Sequence, residues 1–380
     1  MKILYITTIG RTMEFFESFI KEQLNVGNQI DIATNENNGK APVPSCYREW
    51  GCKIYHIDTS RSPVSFGNIR AIKQIRELVK RNHYDMVHCH TPLAAAATRI
   101  ACKHLRKHGL KVVYTAHGFH FYDGAPLKNW LIYYPIEKIL SRYTDAIITI
   151  NQEDYKRACE CFYAEKTYYI PGIGFDTKKF SACKVDRVSK RLELGVRETD
   201  FLILSVGELS DNKNQKIIIE ALNKMNLDGT LGNIVYLAVG AGDKEFELKK
   251  SVKEYGLDRY VKFLGRRTDI AELCKTVDCF IHPSIREGLG IAPLEGMAAG
   301  LPLISSYIGG IRDYTDDGVS GCCIAPFSVD AMVAAIKRMR DDKEFRIRCG
   351  SNNSKIAEKY DKNNSNAIMA KIYKTVCLEK

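Results

Sequence analysis

Short, nearly continuous apolar runs alternate with longer amphipathic runs along most of the chain. Residues 86–89, 201–206 and 235–239 are typical of the short runs. Such runs predict parallel strands buried on both faces, because a half-exposed strand would alternate apolar and polar residues. Residues 69–81 are typical of the longer runs, with an apolar stripe at helical spacing. The alternation predicts an α/β protein whose parallel sheets are doubly wound by helices.

Length and composition limit the class of protein. A chain of 380 residues is long enough for two domains, and 45% hydrophobic residues can supply a core for each. Mean hydropathy is -0.23, and no apolar run reaches the 18 residues of a membrane-spanning helix. The first ten residues, MKILYITTIG, predict a buried first strand, because their apolar run is too short and too interrupted for a signal peptide.

Cysteine and glycine patterns argue against two kinds of site. The 13 cysteines are scattered and form no C-x-x-C pair, which favours reduced thiols in a cytoplasmic protein over a structural zinc site. The glycines of residues 240–242 lack the third glycine and the acidic residue of a dinucleotide site, so NAD binding is rejected.

The net charge of +11 lies mainly in the amino-terminal half. Residues 1–180 carry 25 Lys+Arg against 17 Asp+Glu. Predicted helices at 69–81 and 94–107 hold many of these cations, including Arg99, Lys103, Arg106 and Lys107. They favour contact with an anionic membrane surface, with a pair of ordinary solvated helix faces as the alternative. No aromatic residues are interleaved with the cations, which argues against nucleic acid.

Residues 279–310 hold the strongest local signal. The segment is predicted as a strand, a glycine loop containing Gly288 and Gly290, a short helix at 294–299 and a second strand. Pro293 is placed at the start of the helix, where its missing N–H costs nothing. Free amides at such a helix start favour an anion, most often a phosphate.

Two carboxylates flank this predicted anion site. Glu287 lies in the loop and Glu295 in the helix. A carboxylate beside a phosphate is better suited to accept hydrogen bonds from hydroxyls than to bind the phosphate. The local chemistry thus indicates a ligand that carries both phosphates and sugar hydroxyls. An ordinary crossover with surface glutamates is the alternative.

The stretch EGLGIAPLEGMAAGLPLI, with Glu287 and Glu295 at its fixed spacing, closely resembles the signature of the retaining nucleotide-sugar glycosyltransferases of family four. The resemblance implies the GT-B fold, in which two Rossmann-like doubly wound domains face each other across a cleft. It implies that Glu295 binds the ribose hydroxyls and that Glu287 contacts the donor sugar. The backbone around the glycine loop would face the diphosphate; its residues are Gly288, Leu289, Gly290 and Ile291.

A second stretch, YTAHGFHFYDGAPLKNWLIYYPIEKILSRYTDAIITINQEDY, resembles a bacterial exopolysaccharide and capsule subgroup of that family. There the residue matching His117 lines the donor-sugar site, which makes His117 the second catalytic candidate beside Glu287. By the same resemblance Gly10 approaches the donor phosphates and Arg266 lies by the base. Lys213 matches the family lysine that contacts phosphate, while Glu208 replaces the usual arginine.

The segment IPGIGFDTKKF resembles the family's interdomain linker. It places an acceptor-side domain at residues 1–174 and a nucleotide-sugar-binding domain at 175–364. The final helix, 365–380, is expected to return to the first domain. Residues 130–143 predict an aromatic amphipathic helix, for which we expect packing into the core.

These observations predict a retaining glycosyltransferase that needs no cofactor. The donor is expected to be a UDP-sugar, with a guanosine carrier next, and the acceptor a polyprenyl-linked chain or a saccharide. No Asp-x-Asp pair is present, so no divalent metal is expected. We expect the protein in the cytoplasm, peripheral at the inner face of the membrane. A nucleotide-sugar epimerase, a glycogen-type synthase and an inert GT-B subunit remain as alternatives.

Overall fold

The computed structural model describes residues 1–37, 39–60, 62 and 65–378. These residues form two compact units. The amino-terminal unit contains residues 1–174 and the chain from Lys362 onward, and the carboxyl-terminal unit is Phe175–Asp361. The first boundary lies where the linker motif predicts it. The returning segment begins at Lys362 rather than at residue 365, and the last two residues of that predicted segment lie outside the described residues.

The amino-terminal unit is built on a parallel sheet of seven strands in the order β3-β2-β1-β4-β5-β6-β7. Its elements before the return are β1 (Lys2–Ile9), α1 (Glu17–Asn25), β2 (Gln29–Asn35), α2 (Cys46–Glu49), β3 (Ile54–His56), α3 (Phe66–Asn82), β4 (Met86–His90), α4 (Pro92–Cys102), β5 (Lys111–Ala116), α5 (Leu127–Ser141), β6 (Ala146–Thr149), α6 (Gln152–Cys161) and β7 (Lys166–Tyr169). The strands β4 and β5 are fully or almost fully buried, as their continuous apolar runs predict.

The carboxyl-terminal unit repeats the plan with a parallel sheet of six strands in the order β10-β9-β8-β11-β12-β13. Its elements are α7 (Thr177–Ser181), α8 (Arg187–Glu193), β8 (Phe201–Val206), α9 (Gln215–Leu227), β9 (Ile234–Val239), α10 (Glu245–Glu254), β10 (Val261–Gly265), α11 (Ile270–Thr276), β11 (Cys279–His282), α12 (Ile291–Ala298), β12 (Leu303–Ser306), β13 (Gly321–Ile324), α13 (Val329–Asp341) and α14 (Lys343–Glu358). The two doubly wound sheets confirm the predicted fold class.

The last helix, α15 (Lys362–Leu378), belongs to the amino-terminal unit. Its Tyr373 is fully buried, and its hydroxyl bonds both the Tyr5 hydroxyl at 2.6 Å and Nδ1 of His88. The final helix therefore supplies a core side chain to a sheet whose first strand lies at the opposite end of the chain.

Two helices have irregular starts. A 3-10 helix, Gly10–Phe16, precedes α1. The helix α12 begins at Ile291 with Gly290 as its N-cap, so Pro293 lies at its third position and not its first. Proline is tolerated there because the first-turn N–H groups have no partner within the helix.

The expected core packing of α5 is wrong for half of the helix. Its aromatic residues Trp130, Tyr133 and Tyr134 do pack against the buried core of the unit. Its aliphatic residues instead face solvent, as Leu127 and Leu131 show with exposures of 72% and 69%. Within the described residues, no helix is both long and apolar enough to cross a membrane.

The basic character predicted for α4 is also largely wrong. Arg99 is fully buried, pairs with Glu137 at 2.8 Å and lies over the ring of Tyr114. Just after the helix, Arg106 is held by Asp145 at 2.8 Å. A buried charge must be paired to be tolerated, so these two arginines are structural and add little to a basic surface.

Candidate active site

The carboxyl-terminal sheet changes direction between β8 and β11. From β8 the chain adds β9 and β10 on one side, then returns to add β11 and β12 on the other. At such a switch point the loops leave neighbouring strands in opposite directions and open a crevice at the carboxyl ends of the strands. The loops that follow β8 and β11 contain Lys213 and Glu287.

Glu287, which is half-buried, is the centre of a polar cluster at this crevice. Its Oε1 accepts hydrogen bonds from Nζ of Lys213, from Nε2 of His282 at 2.9 Å and from Oγ of Ser284 at 2.9 Å. Burial alone would raise the pKa of Glu287, but the bond from His282 and the charge of Lys213 outweigh it and lower the pKa to about 2. Burial lowers the pKa of His282, so a neutral ring serves as the N–H donor.

All three bonds to Glu287 converge on one oxygen. Across the described residues, Oε2 of Glu287 has no hydrogen-bond partner. A carboxylate oxygen can accept more than one hydrogen bond, so Oε2 remains able to bind a hydroxyl group. The cluster thus fixes the carboxylate through one oxygen and offers the other.

The position of Lys213 is fixed by backbone contacts between the two loops. Nδ2 of Asn214 donates to the carbonyls of Pro283 at 3.2 Å and Pro326 at 2.7 Å, and Asn214 has a left-handed φ of 55°. The amide of Ile285 donates to the carbonyl of Asn212 at 2.8 Å. Asparagine tolerates the left-handed conformation better than most residues. These bonds place the lysine directly against the loop that contains Glu287.

The glycine loop itself is held by backbone packing. A Cβ on Gly309 or Gly310 would collide with the carbonyls of Glu287 and Gly288, so the loop after β12 can approach only because both residues are glycines. The hydroxyl of Tyr314 donates to the carbonyl of Leu289 at 2.9 Å. The start of α12, with its unpaired amides, is therefore presented on a rigid loop.

Glu295 lies one turn into α12 in a different electrostatic setting. No hydrogen bond reaches its carboxylate from the part of the chain that the structure describes. Burial raises the pKa of Glu295 to about 7, and Lys179 counteracts this only in part. Glu295 is thus poised between its charged and neutral forms and has its bonding capacity free.

In the amino-terminal unit, the carboxyl ends of β4 and β5 bring three histidines together. Nδ1 of His90 lies 3.2 Å from Nε2 of His117, and the rings of His88 and His90 have centroids 4.1 Å apart. Burial lowers the pKa of His88 to about 3 and that of His117 to about 4, and the pKa of His90 also falls well below its usual value. All three rings are therefore uncharged at neutral pH.

The switch point of this sheet, between β1 and β4, opens into a separate cavity of about 300 Å³. It is lined by Thr8, Ile9, Thr12, Thr91, Pro92, Leu93, His120 and Tyr133. Thr91 joins the two strand ends, because its Oγ1 lies 2.6 Å from Oγ1 of Thr8. It does so at a φ of 66°, which is unfavourable for a β-branched residue and costs about 1–3 kcal/mol. Strain of this size is often retained at functional sites.

Sequence comparisons place both units in one family. Residues 2–151 match the family Glycosyl transferase 4-like, and residues 186–356 match Glycosyl transferases group 1. The chain is 36% identical to EpsD of Bacillus subtilis (strain 168). The name of EpsD describes a glycosyltransferase and mentions no substrate. That alignment spans 375 residues, 98% of this chain and 96% of EpsD. The chain belongs to the family-four glycosyltransferases.

One further relative and one solved structure extend the comparison. The glycosyltransferase is 29% identical, over 79% of each chain, to the UDP-Gal:alpha-D-GlcNAc-diphosphoundecaprenol alpha-1,3-galactosyltransferase of Escherichia coli. The fold of this chain is similar to that of HepE of Anabaena in complex with UDP and glucose. The TM-score is 0.79, and the identity is 22% over 99% of this chain and 100% of HepE. The second comparison confirms the GT-B fold.

The structure brings only some of the predicted site residues of the glycosyltransferase together. Lys213 and Glu287 are in contact, and the loop of residues 288–291 connects Glu287 to the helix that contains Glu295. Arg266 is exposed beyond β10, two strands from β8 and so about 10 Å away along the sheet. Gly10 and His117 belong to the other unit.

Gly10 has a structural explanation of its own. A Cβ at this position would lie 2.6 Å from the carbonyl oxygen of Ala41 and 2.7 Å from the amide of Val43. The residue is glycine because the segment 41–43 packs directly on it. A contact with the donor phosphates remains a prediction.

Sequence reasoning missed three residues that contact the predicted catalytic side chains. His282 and Ser284 hold Glu287, and His90 contacts His117. All three follow or end a buried strand, so the hydrophobic pattern could predict their position at the edge of the sheet. It could not predict their hydrogen-bond partners, because these depend on the direction of each side chain.

Proposed function

We propose that the protein transfers a sugar from a UDP-sugar to a lipid-linked or saccharide acceptor, with retention of configuration and without a metal ion. The product would be part of a cell-surface polysaccharide. The observation that carries this proposal is the ionised, immobilised Glu287 beside Lys213 and the start of α12. One carboxylate, one ammonium group and a set of free amides together match a sugar joined to a diphosphate.

Each part of the donor has a partner of suitable chemistry. The free Oε2 of Glu287 would accept a hydrogen bond from a hydroxyl of the transferred sugar. The carboxylate of Glu295 would accept hydrogen bonds from the ribose hydroxyls. Lys213 and the amides of Gly290 and Ile291 would face the diphosphate and stabilise the charge that develops as it leaves. Because this positive charge comes from the protein, no divalent ion is required.

The low pKa of Glu287 supports retention. An inverting transfer needs a general base to take the proton of the attacking hydroxyl, and a base works best when its pKa lies near the working pH. Glu287, with a pKa of about 2, is a poor base at neutral pH. His117 is uncharged and close to His90, so its suitable role is a hydrogen bond to the donor sugar rather than proton removal.

The cavity between β1 and β4 is our candidate for the acceptor. Its volume of about 300 Å³ and its threonine and aromatic lining suit one or two sugar rings. The Escherichia coli relative names UDP-Gal as donor and a diphosphoundecaprenol-linked sugar as acceptor, and we propose the same classes here. An exopolysaccharide product is consistent with EpsD as a relative.

The test is direct transfer. The purified protein is incubated with radiolabelled UDP-galactose, UDP-glucose or UDP-N-acetylglucosamine and a short-chain polyprenyl diphosphate sugar, with and without EDTA. We expect a labelled lipid product from at least one donor, unaffected by EDTA, whose new linkage is cut by an α-specific glycosidase.

Other results would contradict the proposal. Release of a soluble isomer of the donor would indicate an epimerase, and elongation of glucan primers alone would indicate a glycogen-type synthase. Donor binding without turnover on any acceptor would indicate an inert subunit. Loss of transfer in EDTA that Mg²⁺ restores would reject the metal-independent mechanism.

A further inference from the structure

The outward side of α5 is unusually apolar for a surface helix. Five aliphatic side chains on it are exposed, with the following exposed fractions: Leu127 72%, Leu131 69%, Ile132 53%, Ile136 46% and Ile139 56%. At 100° per residue they occupy one half of the helix circumference. Single exposed aliphatic residues need no explanation, but five on one helix face form a patch of the kind that marks an interaction surface.

This face is not a misplaced core face. The opposite side of α5 packs inward through Trp130, Tyr133 and Tyr134. Glu137 on that side is buried and pairs with Arg99 at 2.8 Å. The helix is therefore fixed in rotation by its aromatic side and by an ion pair, and it cannot turn its aliphatic residues into the core.

The charges within the aliphatic face are all positive. Lys128, Lys138 and Arg142 lie on the same half of the helix, and Lys128 and Arg142 are exposed. Lys138 and Arg142 both lie over the ring of Tyr163, which is itself 50% exposed. Glu137 is the sole acidic residue of α5 and is buried. The surface thus combines aliphatic side chains with cations and exposes no carboxylate of its own helix.

We infer that α5 docks the protein on an anionic lipid surface, with its aliphatic side chains at the boundary between headgroups and acyl chains. An interfacial helix has these two properties, an apolar face and cations beside it that meet acidic headgroups. Self-association through the same face is disfavoured, because a two-fold dimer would bring the cations of both copies into one interface with no exposed carboxylate of α5 to pair with them. The surface differs from the predicted one, because it lies on α5 and because Arg99 and Arg106 of the second predicted basic helix are held in ion pairs.

One helix then faces both lipid and acceptor. Tyr133, on the inner side of α5, lines the cavity between β1 and β4 together with His120. Nδ2 of Asn129 near the start of α5 donates to the carbonyl of His120 at 2.9 Å. If the acceptor is lipid-linked, as we propose above, docking through α5 brings the cavity to the membrane surface. Docking itself does not depend on that proposal.

Vesicle flotation tests the inference without any substrate. We expect the protein to float with vesicles of phosphatidylglycerol and phosphatidylcholine, and to stay unbound with phosphatidylcholine alone. Leu131→Asp combined with Ile139→Asp should abolish flotation. Lys128→Glu combined with Arg142→Glu should weaken it at least about fivefold for each cation removed. The matched control is Phe246→Asp, since Phe246 is 80% exposed on a helix of the carboxyl-terminal unit.

Three outcomes would overturn the inference: no flotation of the wild type, flotation of the Leu131→Asp/Ile139→Asp protein at the wild-type level, or an equal loss in the Phe246→Asp control. Far-ultraviolet circular dichroism confirms that the variants are folded. Sedimentation at several concentrations adds a further check, since a dimer broken by Leu131→Asp would assign the face to self-association instead. Transfer to a water-soluble acceptor should be unchanged in the α5 variants, so loss of docking is distinguished from failure of the proposed reaction.

Discussion

At the carboxyl edge of the amino-terminal sheet, burial keeps three histidines uncharged, whereas at the same edge of the other sheet a half-buried carboxylate stays ionised. The histidines contact one another, Tyr5 and Phe16, and within the described part of the chain no acid supports their charged forms. Glu287 has a lysine and two further donors on a single oxygen. Burial disfavours charge at both edges, and fixed hydrogen-bond donors reverse that preference at only one.

The largest expected effect comes from removing the charge of the carboxyl-terminal edge. Glu287→Gln keeps the shape of the side chain but leaves Lys213 without its counter-charge. We expect kcat to fall about a hundredfold, within the range for losing one charge-assisted contact in a preorganised site. The measurement is steady-state transfer at saturating UDP-sugar and acceptor.

The control is Glu208→Gln, because Glu208 follows β8 at the same edge but is exposed. We expect its kcat within about twofold of wild type. If Glu287→Gln transfers sugar as fast as this control, the charge at that edge does not contribute to the reaction.

A smaller effect is expected at the uncharged edge. His117→Ala should lower kcat about tenfold, the loss of one neutral hydrogen bond of ordinary strength, and His117→Asn should recover part of the activity. Because the pKa of His117 is about 4, wild-type kcat should be flat between about pH 5.5 and 8. A step in kcat near pH 6.5 that His117→Asn removes would show that the ring carries a proton in the reaction.

Glu295 sharpens the comparison because it lies between the two extremes. In the role proposed for Glu295, ribose hydroxyls would donate to the ionised carboxylate, so donor affinity should fall as pH drops below about 7, by at most tenfold per pH unit. The Kd for UDP, measured by calorimetry from pH 5.5 to 8.5, checks this. Glu295→Gln should bind UDP about as weakly as the protonated wild type and without that pH dependence; an unchanged dependence would assign it to another group.

The smallest effect concerns stability. His88 and His117 have pKa values of about 3 and about 4 in the folded state, below the usual 6.5 of an unfolded chain. Between the folded and the unfolded pKa values, the unfolded chain binds more protons than the folded one. The stability that the two neutral histidines contribute is therefore complete above pH 6.5 and is lost as pH falls toward 4. At pH 6 each histidine should lower the free energy of unfolding by about 0.8 kcal/mol, a fourfold shift in the unfolding equilibrium. Glu287, with a pKa of about 2, stabilises the fold while it is ionised, and this stability should begin to be lost only below about pH 4.5.

Urea titrations at pH 7.5 and 6 measure this shift. Both tryptophans of the chain, Trp50 and Trp130, lie in the amino-terminal unit, so their fluorescence reports the unit that contains the histidines. A protein with His88→Gln and His117→Asn should lose most of the difference between the two pH values. An unchanged difference in that double variant would mean that other groups cause it.

The fold could be predicted from the sequence because each buried parallel strand is a short apolar run of neighbouring residues. Sequence reasoning also identified Glu287, Lys213 and the glycine loop, since their spacing is fixed within the two strand–loop–helix segments that contain them. It missed α6, which buries only Asp154 and Ala158 and so has no apolar stripe. It misjudged α5, whose apolar residues occur on both sides, and Arg99, whose partner is 38 positions away in a different helix. Long-range pairs of this kind depend on the packed structure and leave no periodic signal.

The buried hydroxyl of Tyr373 bears on synthesis of the chain. The sheet that begins at Lys2 cannot complete the bonds of Tyr5 and His88 until residue 373 has left the ribosome. The carboxyl-terminal unit is continuous, so it can finish folding first while the earlier-made strands wait with an open core. A premature stop a few residues before α15 would therefore damage the first-made half of the protein rather than the last.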